Sequence, residues 1–273
     1  MTTVLDTRMD AGHNGSGTPP LRVFAAPPGR TGQEEYALAP DVVLVLAPDG
    51  TARLLDMGGR FYAMPAFGAR MLCGALEQGA EATVRQIAER RGIAADRARA
   101  DFDAWLGELR RQRLVLGPSE RRRRRGGILA RLFLRPALRL SCRLPSWEGR
   151  ARKLLTLARV CFALFGWAGT VALWQRCLPA PPGDAGAEDA EAAAKLVDDA
   201  VRSAAAGHLW QMACKERALC CWALLRSAGV RAALVVGIDL FPLAGHCWCE
   251  VGARTLSDDP DRCQAFTPVV RYR

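Results

Sequence analysis

A chain of 273 residues, half of them hydrophobic, has enough apolar mass for one large or two ordinary domains, which excludes wholesale disorder and fibrous repeats. The formal net charge is +10, yet Pro118 to Lys153 alone holds eleven Arg and one Lys against two Glu, equal to the whole excess. So localised a charge argues for a basic connector rather than a nucleic-acid-binding surface, and no nucleic-acid partner is expected.

The opening MTTVLDTRMDAGHNGSGTPP has no apolar core of the kind a secretory signal needs. Ten cysteines in a long chain without such a signal point to reduced thiols and a cytoplasmic location. Residues 1–35, rich in Gly, Pro, Thr and Ala, are expected to be a flexible tail.

From Tyr36 the pattern changes. DVVLVLAP and TARLLDM are short β-type runs joined by Asp49-Gly50, a hairpin signal, and Gly58-Gly59 turns the chain into a third strand, RFYAM. Three helices follow: PAFGARMLCGAL, closed by Gln78-Gly79; TVRQIAERRG, closed by Gly92; and ADRARADFDAWLGELRRQRLVL, running to Gly117-Pro118. In the last, Phe102, Trp105, Leu106 and Leu109 form one apolar stripe. Three strands and three helices over residues 36–117 predict a small winged-helix-like domain, so the fold class is α+β.

The order of MGGRFYAMPAFGARML, TVRQIAERRGI and DFDAWLGELRRQRLV resembles the peptide-recognition domain of ribosomal peptide-modifying systems, a family that includes the small chaperone of pyrroloquinoline quinone biosynthesis. That resemblance implies a leader peptide adding as an extra strand beside Arg60, Phe61, Tyr62, Ala63 and Met64. It also implies packing against the helix Asp96 to Arg111, with Phe102 and Trp105 facing the peptide. The plainer alternative is a winged helix that binds nucleic acid or holds a dimer.

Residues 118–127, with SERRRRR, read as a solvated basic linker. Residues 128–273 form the second expected domain. There Arg131, Arg135, Arg139 and Arg143 recur every four residues among leucines, lining one face if helical, although Pro136 interrupts. Such a helix can lie on an anionic membrane surface, but a helix wrapping the next domain is the favoured reading. Val160 to Trp174 is uncharged for fifteen residues, short of the roughly 20 a span needs, so a buried helix is expected. A Pro- and Gly-rich loop and the amphipathic helix EAAAKLVDDAVRSAAAG come next.

The chemistry-bearing pattern lies beyond. Ala213 to Ala228 predicts a helix stopped by Gly229, and Cys214 opens it, beside backbone N–H groups that lack helical partners. Helix N-termini and imidazolium both favour a thiolate, the nucleophilic form. The strand VRAALVVGIDL follows, and then LAGHCWCEV alternates with period two. His246, Trp248 and Glu250 share one face there, and Cys247, Cys249 and Val251 the other. The return through TLSDD brings Asp258 or Asp259 beside His246, and register does not separate the two. Cysteine, histidine and aspartate in this setting predict a nucleophile, its base and the group that orients the base. Gln211 is a candidate second oxyanion donor. His208 is an alternative base, with a structural helix-end role the stronger reading. Zinc at Cys220, Cys221, Cys247, Cys249 and Cys263 is disfavoured because no CxxC pair occurs, so no metal is expected.

The run CKERALCCWALLRSAGVRAALVVGI, LAGHCWCEV, SDD and FTPV looks like the transglutaminase-like branch of the papain superfamily. More narrowly it resembles the lasso peptide biosynthesis B protein, the leader peptidase of that system, with cysteine where a small apolar residue usually follows the histidine. The resemblance implies Cys214 as nucleophile, His246 as base and Asp258 as acid. It also implies a lasso precursor as substrate and an asparagine-synthetase-like cyclase as partner. ATP would be used by that partner, since this chain has no Walker-type loop and no bound cofactor is expected. The competing class is a non-catalytic subunit that only binds and presents the precursor.

Overall fold

A computed structural model describes residues 4–5, 22–25, 36–117, 128–181, 186–240 and 243–273. The chain divides into two compact units, Met1–Arg125 and Gly126–Arg273. The basic linker expected at residues 118–127 lies outside the described residues.

The first unit is built on an antiparallel sheet of β1 (Val4–Leu5), β2 (Arg22–Ala25), β4 (Val42–Leu46), β5 (Ala52–Asp56) and β6 (Arg60–Met64), in that order across the sheet. The β4–β5 turn works as its residues predict. Gly50 takes φ 79°, and Asp49 Oδ1 accepts hydrogen bonds from the Thr51 N–H and hydroxyl. Helices α1 (Ala66–Glu77), α2 (Ala80–Arg91) and α3 (Ala95–Arg111) follow, and Leu72, Phe102 and Leu106 bury their side chains with Phe24, Leu44 and Leu54 from the sheet.

Two expectations need correction. The sheet has five strands rather than three, because RVFA within the supposed tail pairs along β4 and buries Val23 and Phe24, and β1 pairs in turn along RVFA. Burial of those two side chains offsets part of the entropy cost of ordering the four residues of β2. The third helix also ends at Arg111 instead of continuing to Leu116. Arg113 adopts φ 59°, and the N–H of Leu114 reaches back to the Leu109 carbonyl, a left-handed helix cap. The freed segment becomes β7 (Val115–Leu116), pairing with β3 (Ala37–Leu38).

In the second unit α4 (Ile128–Ser141) contains Pro136 and buries Leu138, while Arg135 and Arg139 are exposed. Helix α5 (Trp147–Cys177) is capped by Ser146 and breaks at Gly166, where φ is 68°. By length and composition it is the one helix among the described residues able to cross a membrane. It buries a face including Leu154, Leu155 and Ala158 and leaves Val160 and Leu164 exposed. Helix α6 (Ala187–Ala206) packs on it, and α7 (Cys214–Ser227) lies against both and against the second sheet.

From Ala218 to Leu225 every side chain of α7 is fully buried, so this helix is the axis of the unit. The sheet is antiparallel, ordered β10 (Arg254–Leu256), β9 (Leu243–Val251), β8 (Ala233–Leu240) and β11 (Thr267–Tyr272), with α8 (Pro260–Gln264) between β10 and β11.

Candidate active site

Cys214 is the first residue of α7 and is half-buried. Ala213, the residue before it, offers no side-chain cap, so the first-turn N–H groups keep their donors for a ligand or a developing negative charge. Cys161, Cys177, Cys220, Cys221, Cys247, Cys249 and Cys263 are buried, and burial pushes their thiols up, Cys263 to about 11, which suits packing rather than nucleophilic chemistry. Helix α7 packs along β9, the strand that carries His246.

The alternation along β9 is the one its sequence predicts. Trp248 Nε1 donates to Glu250 Oε1 at 2.7 Å, and the His246 ring lies against those of Trp248 and Phe266, at centroid distances of 6.0 and 5.0 Å. Across the ladder His246 pairs with Gly237. The glycine is needed: a Cβ there would come within 2.6 Å of the Trp248 ring and 2.9 Å of Phe266.

Asp258, not Asp259, faces the imidazole. Its Oδ2 is 3.2 Å from His246 Nε2, an ion-pair distance without hydrogen-bond alignment. Asp259 instead caps α8, accepting the N–H of Asp261 at 3.0 Å. Straight continuation of the β9–β10 register would put residue 259 opposite His246. Ser257 prevents this by taking φ 72°, which twists the chain out of the ladder after Leu256.

Three residues invisible to the sequence reading hold that twist. Asp198 on α6 accepts the Ser257 N–H at 2.7 Å and pairs with Arg202, and Arg202 donates to the Asp258 carbonyl at 2.8 Å. Arg217, one turn into α7 from Cys214, donates to Asp258 Oδ2 at 2.9 Å. The signal for Arg217 is its position, three residues after the cysteine on the same helical face.

Electrostatics fit the division of labour. Burial raises the Asp258 pKa, but the Asp259 N–H, Arg217 and His246 outweigh it, so the carboxyl sits below its ordinary value. Burial lowers the His246 pKa more than Asp258 raises it, favouring the neutral imidazole. His246 is only 4 % exposed.

The other sequence candidates are placed as follows. Gln211 is exposed, and its carbonyl accepts from Arg159 at 3.2 Å. His208 has both ring nitrogens engaged, Nδ1 by the Trp210 N–H and Nε2 by Thr156 Oγ1, which makes it a loop fastener. Among the described residues no cluster of His, Cys, Asp and Glu is arranged to hold a metal.

In the first unit, β6 pairs with β5 on one side and is the last strand of its sheet. Arg60, Phe61 and Ala63 are exposed, Tyr62 is half-buried and Met64 is buried. Phe102 has no exposed surface, so it belongs to the core rather than to an open peptide-facing stripe. Its ring meets that of Trp105 at 5.9 Å, and both line a cavity of about 340 Å³ with Phe67, Met71 and Ile87. Arg91 stacks on Phe67 at the same cavity, 4.1 Å from the ring centroid.

Compared with known families, residues 154–271 match the transglutaminase-like superfamily, Transglut_core3, and Cys214, His246 and Asp258 all fall within the match. No curated protein and no solved structure matches the chain.

Proposed function

We propose that this protein, whose residues 154–271 form a transglutaminase-like domain, is a cysteine endopeptidase that removes the leader from a lasso peptide precursor. The observation that carries the reading is the linkage of three elements. Cys214 opens α7, Arg217 of the same helix holds Asp258, and Asp258 faces His246 of β9.

In the proposed reaction His246 carries its proton on Nε2, toward Asp258, which leaves Nδ1 as the base for the Cys214 thiol. The Cys214 sulfur attacks the carbonyl carbon of the last leader residue, and first-turn N–H groups of α7, with Gln211 as a second donor, stabilise the oxyanion. The C–N bond breaks as the imidazolium gives its proton to the departing core amine. Water, deprotonated by His246, then splits the thioester into leader carboxylate and free thiol. The freed core N-terminus passes to a synthetase-like cyclase, which uses ATP to activate a carboxylate for isopeptide closure. The leader enters as a strand on the outer edge of β6, with an apolar side chain in the cavity beside Trp105.

The test is mass spectrometry of a precursor peptide incubated with this protein, ATP and a synthetase-like partner. A leader fragment ending in a free carboxylate is expected, and Cys214→Ala abolishes it. A Cys214→Ala protein that cleaves like the parent removes the protease reading. Precursor capture without any cleavage by the parent establishes the presenting-subunit alternative.

A further inference from the structure

Of the seven large apolar side chains that stand exposed among the described residues, four belong to two neighbouring segments: Val160 and Leu164 on α5, and Leu209 and Trp210 in the loop that leads into Cys214. Thr156, Val160 and Leu164 recur every four residues and share one stripe of α5, ahead of its break at Gly166. Single exposed leucines are ordinary on a protein surface, whereas several together mark a binding face.

Contacts set the loop and the first turn of α7 against that stripe. His208 Nε2 meets Thr156 Oγ1 at 3.0 Å, and Arg159 donates to the Gln211 carbonyl at 3.2 Å with its guanidinium 5.9 Å from the Trp210 ring centroid. Lys215, the residue after Cys214, places its Nζ 5.3 Å from the Phe162 ring centroid. Leu209 is therefore 93 % exposed where the residues on both sides of it are fastened, so binding there costs little ordering entropy. Chain connectivity alone keeps the Cα atoms of Trp210 and Cys214 within about 14 Å, and an extended substrate advances about 3.3 Å per residue. An acyl chain whose carbonyl carbon meets the Cys214 sulfur can thus reach this patch with the residues up to about four positions before the cleaved bond.

We infer that Leu209 and Trp210, with Val160 and Leu164, form the specificity face for apolar side chains on the acyl side of the cleaved bond. The occupant is the substrate itself, because the face is continuous with the segment that carries the candidate nucleophile. The inference rests on the peptidase reading and narrows its substrate to chains whose last leader residues are apolar.

Alkylation of Cys214 in the full chain tests it. The probes are two peptidyl chloromethyl ketones of equal charge and similar size, acetyl-Leu-Leu-Leu-Gly and acetyl-Asn-Asn-Asn-Gly, and iodoacetamide, which carries no side chain to recognise. The thiolate displaces chloride or iodide, and peptide mapping by mass spectrometry reports the adduct on Cys214. With each rate divided by that protein's iodoacetamide rate, the leucine ketone is expected to react at least ~tenfold faster than the asparagine one. Leu209→Ser and Trp210→Ser should each cut that preference ~threefold or more, whereas Leu140→Ser on α4 should not. Leu209 is too exposed for its loss to disturb the fold. Equal rates for the two ketones, or a preference unchanged in both loop variants, would overturn the specificity face and leave the candidate nucleophile in place. Cys214 modified by none of the three reagents would overturn the peptidase reading and this inference with it. Binding to phosphatidylglycerol vesicles, or dimerisation in sedimentation, that is lost in Leu209→Ser while the ketone preference persists would overturn it by reassigning the face to lipid or to a second copy.

Discussion

Arg217 and His246 approach the same oxygen of Asp258, the guanidinium at 2.9 Å and the imidazole at 3.2 Å. The arginine therefore ties the helix of the candidate nucleophile to the acid that faces the candidate base. Arg217→Met leaves a largely buried carboxylate with one partner fewer, and a loss of about 1–3 kcal/mol of stability is expected. It also raises the Asp258 pKa, so the acid limb of the activity profile moves to higher pH, while Arg217→Lys restores part of both. Denaturant melts and a pH–rate series on the three proteins check this. An unmoved acid limb in Arg217→Met would leave the arginine with a packing role only.

The two neighbouring aspartates have separable jobs. Asp258→Asn removes the charge facing His246 and should lower the proposed peptidase activity by roughly 10²–10⁴ with the fold intact. Asp259→Asn keeps a competent cap on α8 and should retain activity, and Asp259→Ala should cost about 0.5–2 kcal/mol of stability. Steady-state rates alongside thermal melts distinguish the two, and the reverse ranking would move the acid to Asp259.

Local signals made much of the second unit legible. Cys214 and Gly229 bracket α7 within a residue, and the two-residue period of LAGHCWCEV marks β9 over its full length. What sequence could not settle depends on contacts between distant segments. The choice of Asp258 rests on the left-handed turn at Ser257, and that turn is held by Asp198 and Arg202 from a helix some 55–60 residues earlier. Likewise β2 lies between Gly- and Pro-rich flanks whose composition masks four strand residues, and only pairing with β4 reveals them. The α3 stop was missed because arginine, not glycine, takes the left-handed cap position at residue 113.

Acid should weaken the second unit in two steps. The folded pKa of His246 lies below its ordinary 6.5, so the unfolded chain binds the extra proton first and stability falls as pH drops below about 6.5. The folded pKa of Asp258 lies below 3.8, so its contribution is complete above that pH and is lost as pH falls through the folded value. His246→Gln should flatten the first step and leave the second. Unfolding free energies from urea titrations between pH 7 and 3 measure both, and a parent curve flat from pH 6.5 to 5 would contradict the burial of a neutral imidazole.

Gly237 gives the sharpest structural test, because it lies opposite His246 and has no left-handed backbone to confuse the result. A methyl group there would overlap Trp248 at 2.6 Å, and the indole has little room to move, since its Nε1 is fixed on Glu250 and it packs in a cluster with Val235, Cys263 and Phe266. Gly237→Ala should therefore cost about 1–3 kcal/mol through overpacking and displace the ring that His246 lies against, lowering activity more than melting alone explains. Gly107→Ala, where a Cβ meets nothing, is the matched control and should be neutral or slightly stabilising. Rates measured well below both melting temperatures separate a misaligned imidazole from a merely less stable protein. Wild-type turnover in Gly237→Ala would mean that the indole does not set the position of His246.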